Sequence, residues 1–401
     1  MRRAVLPALC LLLSAPVAFA VEGADKIEAL GQALFFDTAL SGNGTQSCAS
    51  CHDPANGFAS ATAFPEGAVQ GHFGNRKPPS LAYQAISPVL HHRIEDGEAL
   101  FVGGNMADGR ARGGSFGDPA ADQALMPILN PDEMGLPHAA CLAARACASQ
   151  GAAMQMASPG VCAMPLDAAA TCAAAEQAEA SSETLAAVAV VQRALSAYEA
   201  SSHVVRFSSR YDDYVAGQGD LTADEKAGLA LFDGKAQCSA CHVLTAHAGR
   251  GAVLTDFTYD NLGVPRNPEN PRYRATVNGT AWVDRGLAAT LEGDPLYAAA
   301  AASVEGAVKV PTLRNVWTGQ PRAYMHNGWF KTLEGVVRFY NTRDVWPRCA
   351  GDVTEAQAMA ARCWPAPEIE ATMNRDELGN LKLTEAEEAQ IVAFLKTLTD
   401  R

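Results

Sequence analysis

Positive charge and long apolar stretches are what this sequence has least of. Its 401 residues include 31 Lys and Arg against 44 Asp and Glu, which gives a formal net charge of -13 at pH 7. Nucleic acid and anionic lipid repel an acidic chain, so we expect neither as a partner. The acidity favours a basic protein partner, although a need for solubility would also explain it. After the first 20 residues no apolar run is long enough to cross a bilayer, so the sequence predicts no membrane span.

The first 20 residues have the pattern of an export signal. Arg2 and Arg3 precede a mostly apolar segment at 4–16, and a small-x-small sequence follows at 18–20. A basic start, a short apolar stretch and small residues at a cleavage site are typical of a signal peptide rather than of a membrane anchor. We therefore predict a signal peptide at 1–20 and export of the rest of the chain.

Two Cys-x-x-Cys-His pentapeptides occur, at residues 48–52 and 238–242. Their cysteines and histidines are Cys48, Cys51, His52, Cys238, Cys241 and His242. This pattern attaches a c-type haem, because the two thiols bond to the porphyrin and the histidine ligates the iron. A redox dithiol would not require the histidine, and a structural zinc site needs four ligands at compatible spacings. We predict two covalently bound haem c groups and, with the export signal, a periplasmic protein.

Six of the 11 cysteines lie outside both the pentapeptides and the predicted signal peptide. They are Cys141, Cys147, Cys162, Cys172, Cys349 and Cys363. An even number of surplus cysteines in an oxidising compartment predicts disulfides. Cys349 and Cys363 would close one loop, whereas the other four allow three pairings that the sequence leaves open. A metal or redox role is the alternative interpretation.

Similar segments precede the two pentapeptides, and they indicate that one structural unit is used twice. Residues 31–37 and 228–233 both have the pattern of the end of an amphipathic helix. Capping boxes predict that helices begin after Thr222 and after Thr384. A helix, a haem-motif loop, loops rich in Pro and Gly, and a closing helix make up a small cytochrome c unit. The predicted fold class is therefore mainly α, with two cytochrome c-like domains.

The predicted domain boundary lies between the two units. The N-terminal domain covers residues 21–205 and the C-terminal domain covers residues 206–401. An Ala-rich stretch at 137–183 carries four of the surplus cysteines and is expected to be a cross-linked, partly helical insertion in the first domain. Residues 255–280 have few apolar positions, so we expect a long ordered loop over a haem and little strand.

Six short motifs follow one another in the chain. They are Asp-Gly-Arg-Ala at 108–111, Asn-Pro-Asp-Glu-Met at 130–134, Asp-Asn-Leu-Gly-Val-Pro at 260–265, Val-Pro-Thr-Leu-Arg-Asn-Val at 310–316, Tyr-Met-His-Asn-Gly at 324–328 and Thr-Leu-Glu at 332–334. With the haem motifs, they resemble the bacterial di-haem cytochrome c peroxidase and MauG superfamily over nearly the whole chain. The resemblance implies two haems facing a shared interface. It also implies a peroxidatic N-terminal haem and an electron-transferring C-terminal haem.

The resemblance assigns the peroxide chemistry to two side chains. Glu133 matches the family's catalytic glutamate and Gln123 its supporting amide. Cleavage of the O–O bond needs a group that moves a proton from the near oxygen to the far one, and a carboxylate over the haem can do this. The alternative interpretation of Glu133 is a surface residue near a helix end.

A loop histidine ligates the N-terminal iron in many peroxidases of the family until the other haem is reduced. His72 lies near the corresponding place, although it is closer to the following Pro79-Ser80 pair than in those peroxidases. An exposed loop histidine is the alternative interpretation. His91 and His92 are less suitable candidates.

The C-terminal haem is implied to have an unusual axial ligand. Six residues after Glu334, peroxidases of the family have a Met ligand, whereas this chain has Tyr340, as MauG-like proteins do. A phenolate stabilises oxidised iron and lowers its potential, while Met favours ferrous iron. The alternative is a packed Tyr340 with Met325 as ligand. Arg314 and His326 match positions that support haem propionates or the surroundings of this haem, with a purely structural role as the alternative.

Two departures from the family pattern concern the space between the haems. Ala107 stands where the family has a Trp relay, so electron exchange would need Trp282, Trp329 or direct tunnelling. The family's calcium-binding Asn falls near Lys77, which leaves Ca²⁺ open as a third cofactor. Main-chain carbonyls near Pro321 and Ala323 could still contribute to such a site.

Three functions follow from these residues. We predict a peroxidase-like oxidoreductase that reduces H₂O₂ at the His52 haem, with electrons supplied by a small redox protein such as a cytochrome c or a cupredoxin. A MauG-like enzyme is the alternative: a high-valent di-haem state would oxidise side chains of a partner protein, and Tyr340 favours it. A non-catalytic electron carrier is the third, but it would not need a proton-moving carboxylate such as Glu133.

Overall fold

The computed structural model describes residues 17–95, 97–163, 167–174, 181–274, 276–277 and 280–401. Most of the predicted signal peptide, residues 1–16, lies outside them. The described chain is mostly helical, which confirms the predicted fold class. The helices are α1 (Val17–Phe35), α2 (Cys48–Cys51), α3 (Pro119–Leu129), α4 (Ala139–Ala157), α5 (Ala168–Ala173), α6 (Ser182–Ala200), α7 (Arg210–Val215), α8 (Ala223–Asp233), α9 (Leu287–Leu291), α10 (Leu333–Thr342), α11 (Glu355–Ala361) and α12 (Glu385–Leu395).

Strands are short, as the sequence predicted. Three two-stranded antiparallel sheets occur in the described ranges: β1 (His91–Glu95) pairs with β2 (Glu98–Val102), β3 (Tyr259–Asp260) with β6 (Val308–Lys309), and β4 (Thr276–Val277) with β5 (Thr280–Ala281). None of the helices in these ranges combines the length and the apolarity that crossing a membrane requires.

In the N-terminal half, α1 crosses α6, and α3 and α4 pack beside them. Gly31 of α1 makes the crossing possible, because a Cβ there would lie 1.8 Å from the carbonyl oxygen of Ala194. Leu34 and Phe35 are fully buried at this crossing, and the Phe35 ring lies 5.2 Å from that of Tyr198. These three side chains belong to the hydrophobic core of the N-terminal half.

The C-terminal half repeats this crossing with α8 and α12. A Cβ at Gly228 of α8 would lie 1.9 Å from the carbonyl oxygen of Gln390 in α12. The Phe232 and Phe394 rings pack edge to face with centroids 5.2 Å apart. The repeated Gly-x-Ala-Leu-Phe sequence therefore has a structural cause: each copy brings one helix into close contact with a partner and buries the following Phe.

The predicted capping boxes are confirmed. The Thr222 hydroxyl accepts from the backbone N–H of Glu225, whose carboxylate accepts from the backbone N–H of Thr222. Thr384 and Glu387 form the same reciprocal pair at the start of α12. These contacts satisfy N–H groups that the first turn of a helix leaves without partners, which explains why α8 and α12 begin where the sequence indicated.

The six surplus cysteines form three disulfides, as expected. The pairs are Cys141–Cys172, Cys147–Cys162 and Cys349–Cys363. The first two are nested and both begin on α4, which packs against α1 and α6. Leu142 and Met154 of α4 are fully buried, so the predicted insertion contributes to the core of the N-terminal half.

Candidate functional site

A large cavity lies between the two halves, and both Cys-x-x-Cys-His motifs open onto it. Its lining includes Cys51 and His52 from the first motif and Cys238, Cys241 and His242 from the second. The loop that follows β3 also lines it, as expected for residues 255–280. The geometry therefore brings together, around one cavity, the two sets of residues that are predicted to attach haem and that lie far apart in the sequence.

The two motif histidines are held in the same way. His52 Nδ1 donates to the carbonyl oxygen of Pro79 at 3.0 Å, and His242 Nδ1 donates to that of Leu254 at 2.9 Å. Burial lowers the pKa of His52 to about 4, although its hydrogen bonds to main-chain carbonyls act in the opposite direction. Burial also lowers the pKa of His242. Each ring is therefore neutral and oriented, with Nε2 left for a metal, which is how iron-ligating histidines are arranged.

The four motif thiols are free while the other cysteines of the described chain are paired. Burial raises the pKa of Cys51 to about 11 and that of Cys238 to about 12. A catalytic dithiol needs the opposite shift, because the thiolate is its reactive form. Two thiols, a neutral histidine and an apolar cavity at each motif fit a covalently attached haem better than a dithiol redox site.

Glu133 and Gln123 lie at the end of the cavity formed by the first motif. Both line the cavity with Cys51, and the charge of Glu133 contributes to the raised pKa of that thiol. Burial raises the pKa of Glu133, while the nearby Arg110 charge opposes the shift. Gln123 of α3 is buried, and its Oε1 has no hydrogen-bond partner within the described part of the chain. The predicted catalytic glutamate and its supporting amide thus both line the cavity beside the first haem motif, with Glu133 half-buried and Gln123 buried.

His72 lies outside this cavity. Its side chain is 44% exposed, and its Nδ1 lies 3.0 Å from Asp132 Oδ1. His91 and His92 are exposed on β1. None of the three lines the cavity, so the structure places His72 according to the alternative interpretation, as an exposed loop histidine, and the ligand prediction gains no support.

Tyr340 and Met325 meet at the other end of the cavity. Tyr340 projects from α10, and its hydroxyl lies 3.9 Å from Met325 Sδ. Both line the cavity with Cys238 and Cys241. Burial raises the pKa of Tyr340, and the nearby Cys238 adds to the shift. The two candidate axial ligands of the second haem are therefore neighbours, and the choice between them stays a prediction.

Arg314 is buried, and its guanidinium is hydrogen-bonded to other groups of the protein. Its guanidinium forms a bidentate ion pair with Asp212 at 2.5 and 2.7 Å, and its Nε donates to the carbonyl oxygen of Ala252 at 2.8 Å. Rings of Tyr83 and Phe207 stack against it. These contacts favour the structural role over direct contact with a propionate. They hold the segment after the second haem motif against α7.

His326 lies in the cavity wall. Burial lowers its pKa, and its Nε2 lies 3.9 Å from Asp284 Oδ2. Its Nδ1 is buried without a partner among the residues described. A haem propionate or an ordered water would satisfy this nitrogen, which is compatible with the cofactor-binding prediction.

An ion-pair network across the two halves was missed by the sequence reasoning. Arg76 donates to Asp108 at 2.6 Å and to both oxygens of Asp284 at 2.6 and 2.7 Å, and Arg110 donates to Asp108 at 2.8 Å. Burial alone would raise the pKa of Asp284, but the bonds and charge of Arg76 lower it to about 2. The signal that could have found the network is Asp108, the first residue of the Asp-Gly-Arg motif.

The space between the motifs lacks the tryptophans considered as relays. Ala107 lines the cavity, whereas Trp282 packs on Tyr273 and Trp329 is buried against Trp364. Within the described ranges, the phenylalanines, tyrosines and tryptophans that line the cavity are Phe232, Tyr324 and Tyr340. Direct tunnelling between haems, or a path through Tyr324, fits this arrangement better than Trp282 or Trp329.

Lys77 occupies the position considered for calcium. Its ammonium donates to the carbonyl oxygen of Pro78 at 3.0 Å. No group of three or more His, Cys, Asp or Glu that could hold a metal ion occurs in the part of the chain that the structure describes. Ca²⁺ therefore stays an open prediction without side-chain ligands to support it.

Comparison with known proteins agrees with this site. The model of the family described as di-haem cytochrome c peroxidase matches residues 25–220. The methylamine utilization protein MauG of Paracoccus denitrificans (strain Pd 1222) is 35% identical over 100% of this chain and 96% of its own. The cytochrome-c peroxidase IdrP1 of Denitromonas iodatirespirans is 28% identical over 94% of this chain and 82% of its own.

Solved structures show the same relationship. The diheme peroxidase BthA from Burkholderia thailandensis E264 is 32% identical, with a TM-score of 0.72 over 93% of this chain and 86% of that chain. A MauG-like protein associated with microbial copper homeostasis is 25% identical, with a TM-score of 0.62 over 99% of this chain and 94% of that chain.

The fold and the shared cavity are thus those of a di-haem oxidoreductase. This chain belongs to the di-haem cytochrome c peroxidase and MauG family, as its motifs predicted, and membership implies haem cofactors.

Proposed function

We propose that this protein is a periplasmic enzyme with two covalent haem c groups, in which H₂O₂ reacts at the haem ligated by His52. Electrons reach this haem through the one ligated by His242. The observation that carries the proposal is the position of Glu133 and Gln123, which line the same end of the cavity as His52. The predicted signal peptide supports the location.

Glu133 would move the proton that cleavage of the O–O bond requires. When bound, the haem iron supplies the electrons and the Lewis acidity for this reaction. Glu133 takes a proton from the near oxygen of the peroxide and delivers it to the far oxygen, so that two electrons and two protons convert H₂O₂ to two molecules of water. The raised pKa of Glu133 brings its proton affinity closer to the operating pH. Gln123 Oε1, which has no hydrogen-bond partner among the described residues, can accept a hydrogen bond from the peroxide.

The electrons would come from a small redox protein. The net charge of -13 favours a basic cytochrome c or cupredoxin, because opposite charges steer encounter. The network of Arg76 with Asp108 and Asp284 holds the halves together. Both haem sites therefore keep a fixed relative position in the electron path.

A MauG-like activity is the second candidate, and Tyr340 favours it. A phenolate ligand would stabilise oxidised iron in the second haem. That haem would then store an electron as ferrous iron poorly and hold oxidising equivalents well. In this reading the electrons come from side chains of a partner protein. The 35% sequence identity to a protein named MauG supports this second candidate, but it does not decide between the MauG-like activity and the peroxidase. A non-catalytic carrier is disfavoured, because it has no use for the carboxylate of Glu133 in the cavity wall.

The test is a titration of the purified ferric protein with H₂O₂, followed by optical and EPR spectroscopy. Rapid loss of a high-spin ferric signal without reductant, with a long-lived oxidised species, would support the MauG-like activity. Reaction only after one-electron reduction, and turnover with a reduced cytochrome, would support the peroxidase. No reaction in either state would contradict both enzyme proposals.

A further inference from the structure

Three cations that line the cavity form no ion pair with a carboxylate in the part of the chain that the structure describes. They are Lys77, Lys309 and Arg322, and all line the cavity. The other cationic groups of the cavity wall are paired, as Arg76 is with Asp284 and Arg314 with Asp212. None of the ion pairs found in the described chain involves any of the three. Arg322 is buried and the two lysines are half-buried in the cavity wall. A charge held away from water without a counter-charge is costly, so an anion is expected beside these side chains.

Lys77 and Arg322 form a pair at the His52 end, one from each half of the chain. Lys77 lies two residues before Pro79, whose carbonyl accepts from His52, and its backbone N–H donates to the carbonyl oxygen of His326 at 2.9 Å. Burial lowers the pKa of Lys77 to about 7, and the Arg322 charge adds to the shift. Arg322 is otherwise bonded to the carbonyl of Asn315. Two adjacent cations therefore lie beside the first haem motif with only main-chain oxygens to offset them.

Lys309 lies at the His242 end. It is part of β6, and its ammonium lies 5.1 Å from the centre of the Phe257 ring. Asp256 is the acidic residue whose charge acts on it, and the backbone N–H of Asp256 donates to the carbonyl oxygen of Cys241 at 2.9 Å. Lys309 is thus linked through one residue to the second haem motif.

We propose that Lys77 with Arg322 binds a propionate of the haem on His52, and that Lys309 binds a propionate of the haem on His242. The inference rests on the proposed attachment of haem at both motifs. Each cation neutralises a carboxylate near one iron, which favours the reduced iron because its added electron then meets less negative charge. The two haem potentials are therefore set by separate residues. A free inorganic anion is the other source of the same charge.

The test measures both potentials by spectroelectrochemistry with EPR in three variants, Lys77→Gln, Lys309→Gln and the surface control Lys331→Gln. Lys77→Gln is expected to make reduction of the His52 haem about tenfold less favourable, a fall of about 59 mV for one electron. The His242 haem should move far less. Lys309→Gln should reverse this pattern, and Lys331→Gln should change neither, because Lys331 is an exposed partner of Glu269.

Charge-preserving variants keep the test decisive if a glutamine variant does not fold. Lys77→Arg should retain the potential of the His52 haem, while Arg322→Gln should lower it. Equal shifts of both haems, or no shift in Lys77→Gln and Arg322→Gln, would overturn the inference. A potential that depends on phosphate concentration at constant ionic strength would overturn the propionate assignment in favour of a free anion. A haem assay finding fewer than two haems per chain would instead contradict the proposed function.

Discussion

The two haem-motif regions of this chain are alike on one side and different on the other. His52 and His242 are both neutral, half-buried and bonded through Nδ1 to a main-chain carbonyl. Across the cavity, the first motif faces a carboxylate and an amide, whereas the second faces a phenol and a thioether. The two halves are therefore alike in the thiols and histidine proposed to hold a haem. They differ in the side chains that face these residues across the cavity.

This contrast shows how one unit serves two roles. Under the proposed function, helix packing and histidine orientation would solve the same problem in both halves, which is to attach and orient a haem. The residues over each proposed haem would then decide whether a proton is moved or an electron is held. The two roles can be tested separately, because the differing residues are not shared.

The largest expected effect comes from removing the carboxylate of the first site. Glu133→Gln should slow the reaction with H₂O₂ by about 10²- to 10⁴-fold, because an amide cannot shuttle the proton. Stopped-flow spectroscopy of the haem absorbance measures this rate. The adjacent Asp132→Asn removes a half-exposed carboxylate at the cavity rim that is bonded to His72, and it should retain the wild-type rate within about threefold because Glu133 is kept. Equal rates in wild type and Glu133→Gln would remove the distinction between the two sites.

The next effect concerns the second site. Tyr340→Met should raise the potential of the His242 haem by on the order of 100 mV, because a thioether favours ferrous iron. Spectroelectrochemistry measures it, and the His52 haem serves as internal reference. Met325→Leu is the matched control and should leave the potential nearly unchanged. A large fall in Met325→Leu would show instead that Met325 is the ligand.

The helix crossings test the shared side of the comparison. Gly31→Ala and Gly228→Ala should each lower the free energy of unfolding by about 1–3 kcal/mol, since the added Cβ would meet a carbonyl oxygen of the partner helix. Gly151→Ala is the control, because a Cβ there meets nothing within 4 Å. Thermal denaturation of the three variants measures the difference. Tolerance of alanine at only one of the two crossings would contradict their equivalence.

The smallest effect distinguishes the two crossings. Glu199 follows Tyr198 in α6 as Leu395 follows Phe394 in α12, and burial raises the pKa of Glu199 to about 8, with the Asp118 charge adding to the shift. In the unfolded chain this carboxyl has a pKa near 4.3. The folded state therefore binds the extra proton, and stability is lost as the pH rises from about 4.5 to about 8.

Glu199→Leu should remove this pH-dependent loss of stability, and it places at the first crossing the residue type that Leu395 provides at the second. We expect a gain on the order of 1–2 kcal/mol at pH 8 and little gain at pH 4.5, measured by denaturant unfolding at both values. Glu199→Gln should flatten the pH dependence in the same window. A gain that is equal at both pH values would show that the effect comes from packing and not from the proton.

The fold was largely predictable because its signals are local. The capping boxes at Thr222 and Thr384 and the repeated Gly-x-Ala-Leu-Phe segments lie within a few residues of the features that they specify. The nested disulfides were not predictable, because three pairings satisfied the same count. The packing of α5 on α4 brings Cys172 to Cys141, and no local pattern specifies that contact.

The site was predictable in type but less so in detail. The motif residues lie in the cavity where the pentapeptides indicated, and Glu133 and Gln123 join them through the turn after α3. His72 does not, because its ring bonds Asp132 on the surface. The roles of Arg314 and Arg76 depend on Asp212 and on Asp284, which lie 102 and 208 positions away in the chain. No local pattern carries such contacts.

The coexistence of free and paired cysteines has a consequence for how this protein must mature. The four motif thiols are free, while six other cysteines form three bridges, two of them between residues 141 and 172. Exchange between a free thiolate and a disulfide scrambles such a set. If the motif thiols bind haem as proposed, biogenesis requires two opposed treatments of cysteine in one folding chain, with oxidation at α4 and protected reduction at the motifs. A cell that can secrete the polypeptide but cannot attach haem would accumulate mispaired isomers, and host choice becomes the first decision in producing it.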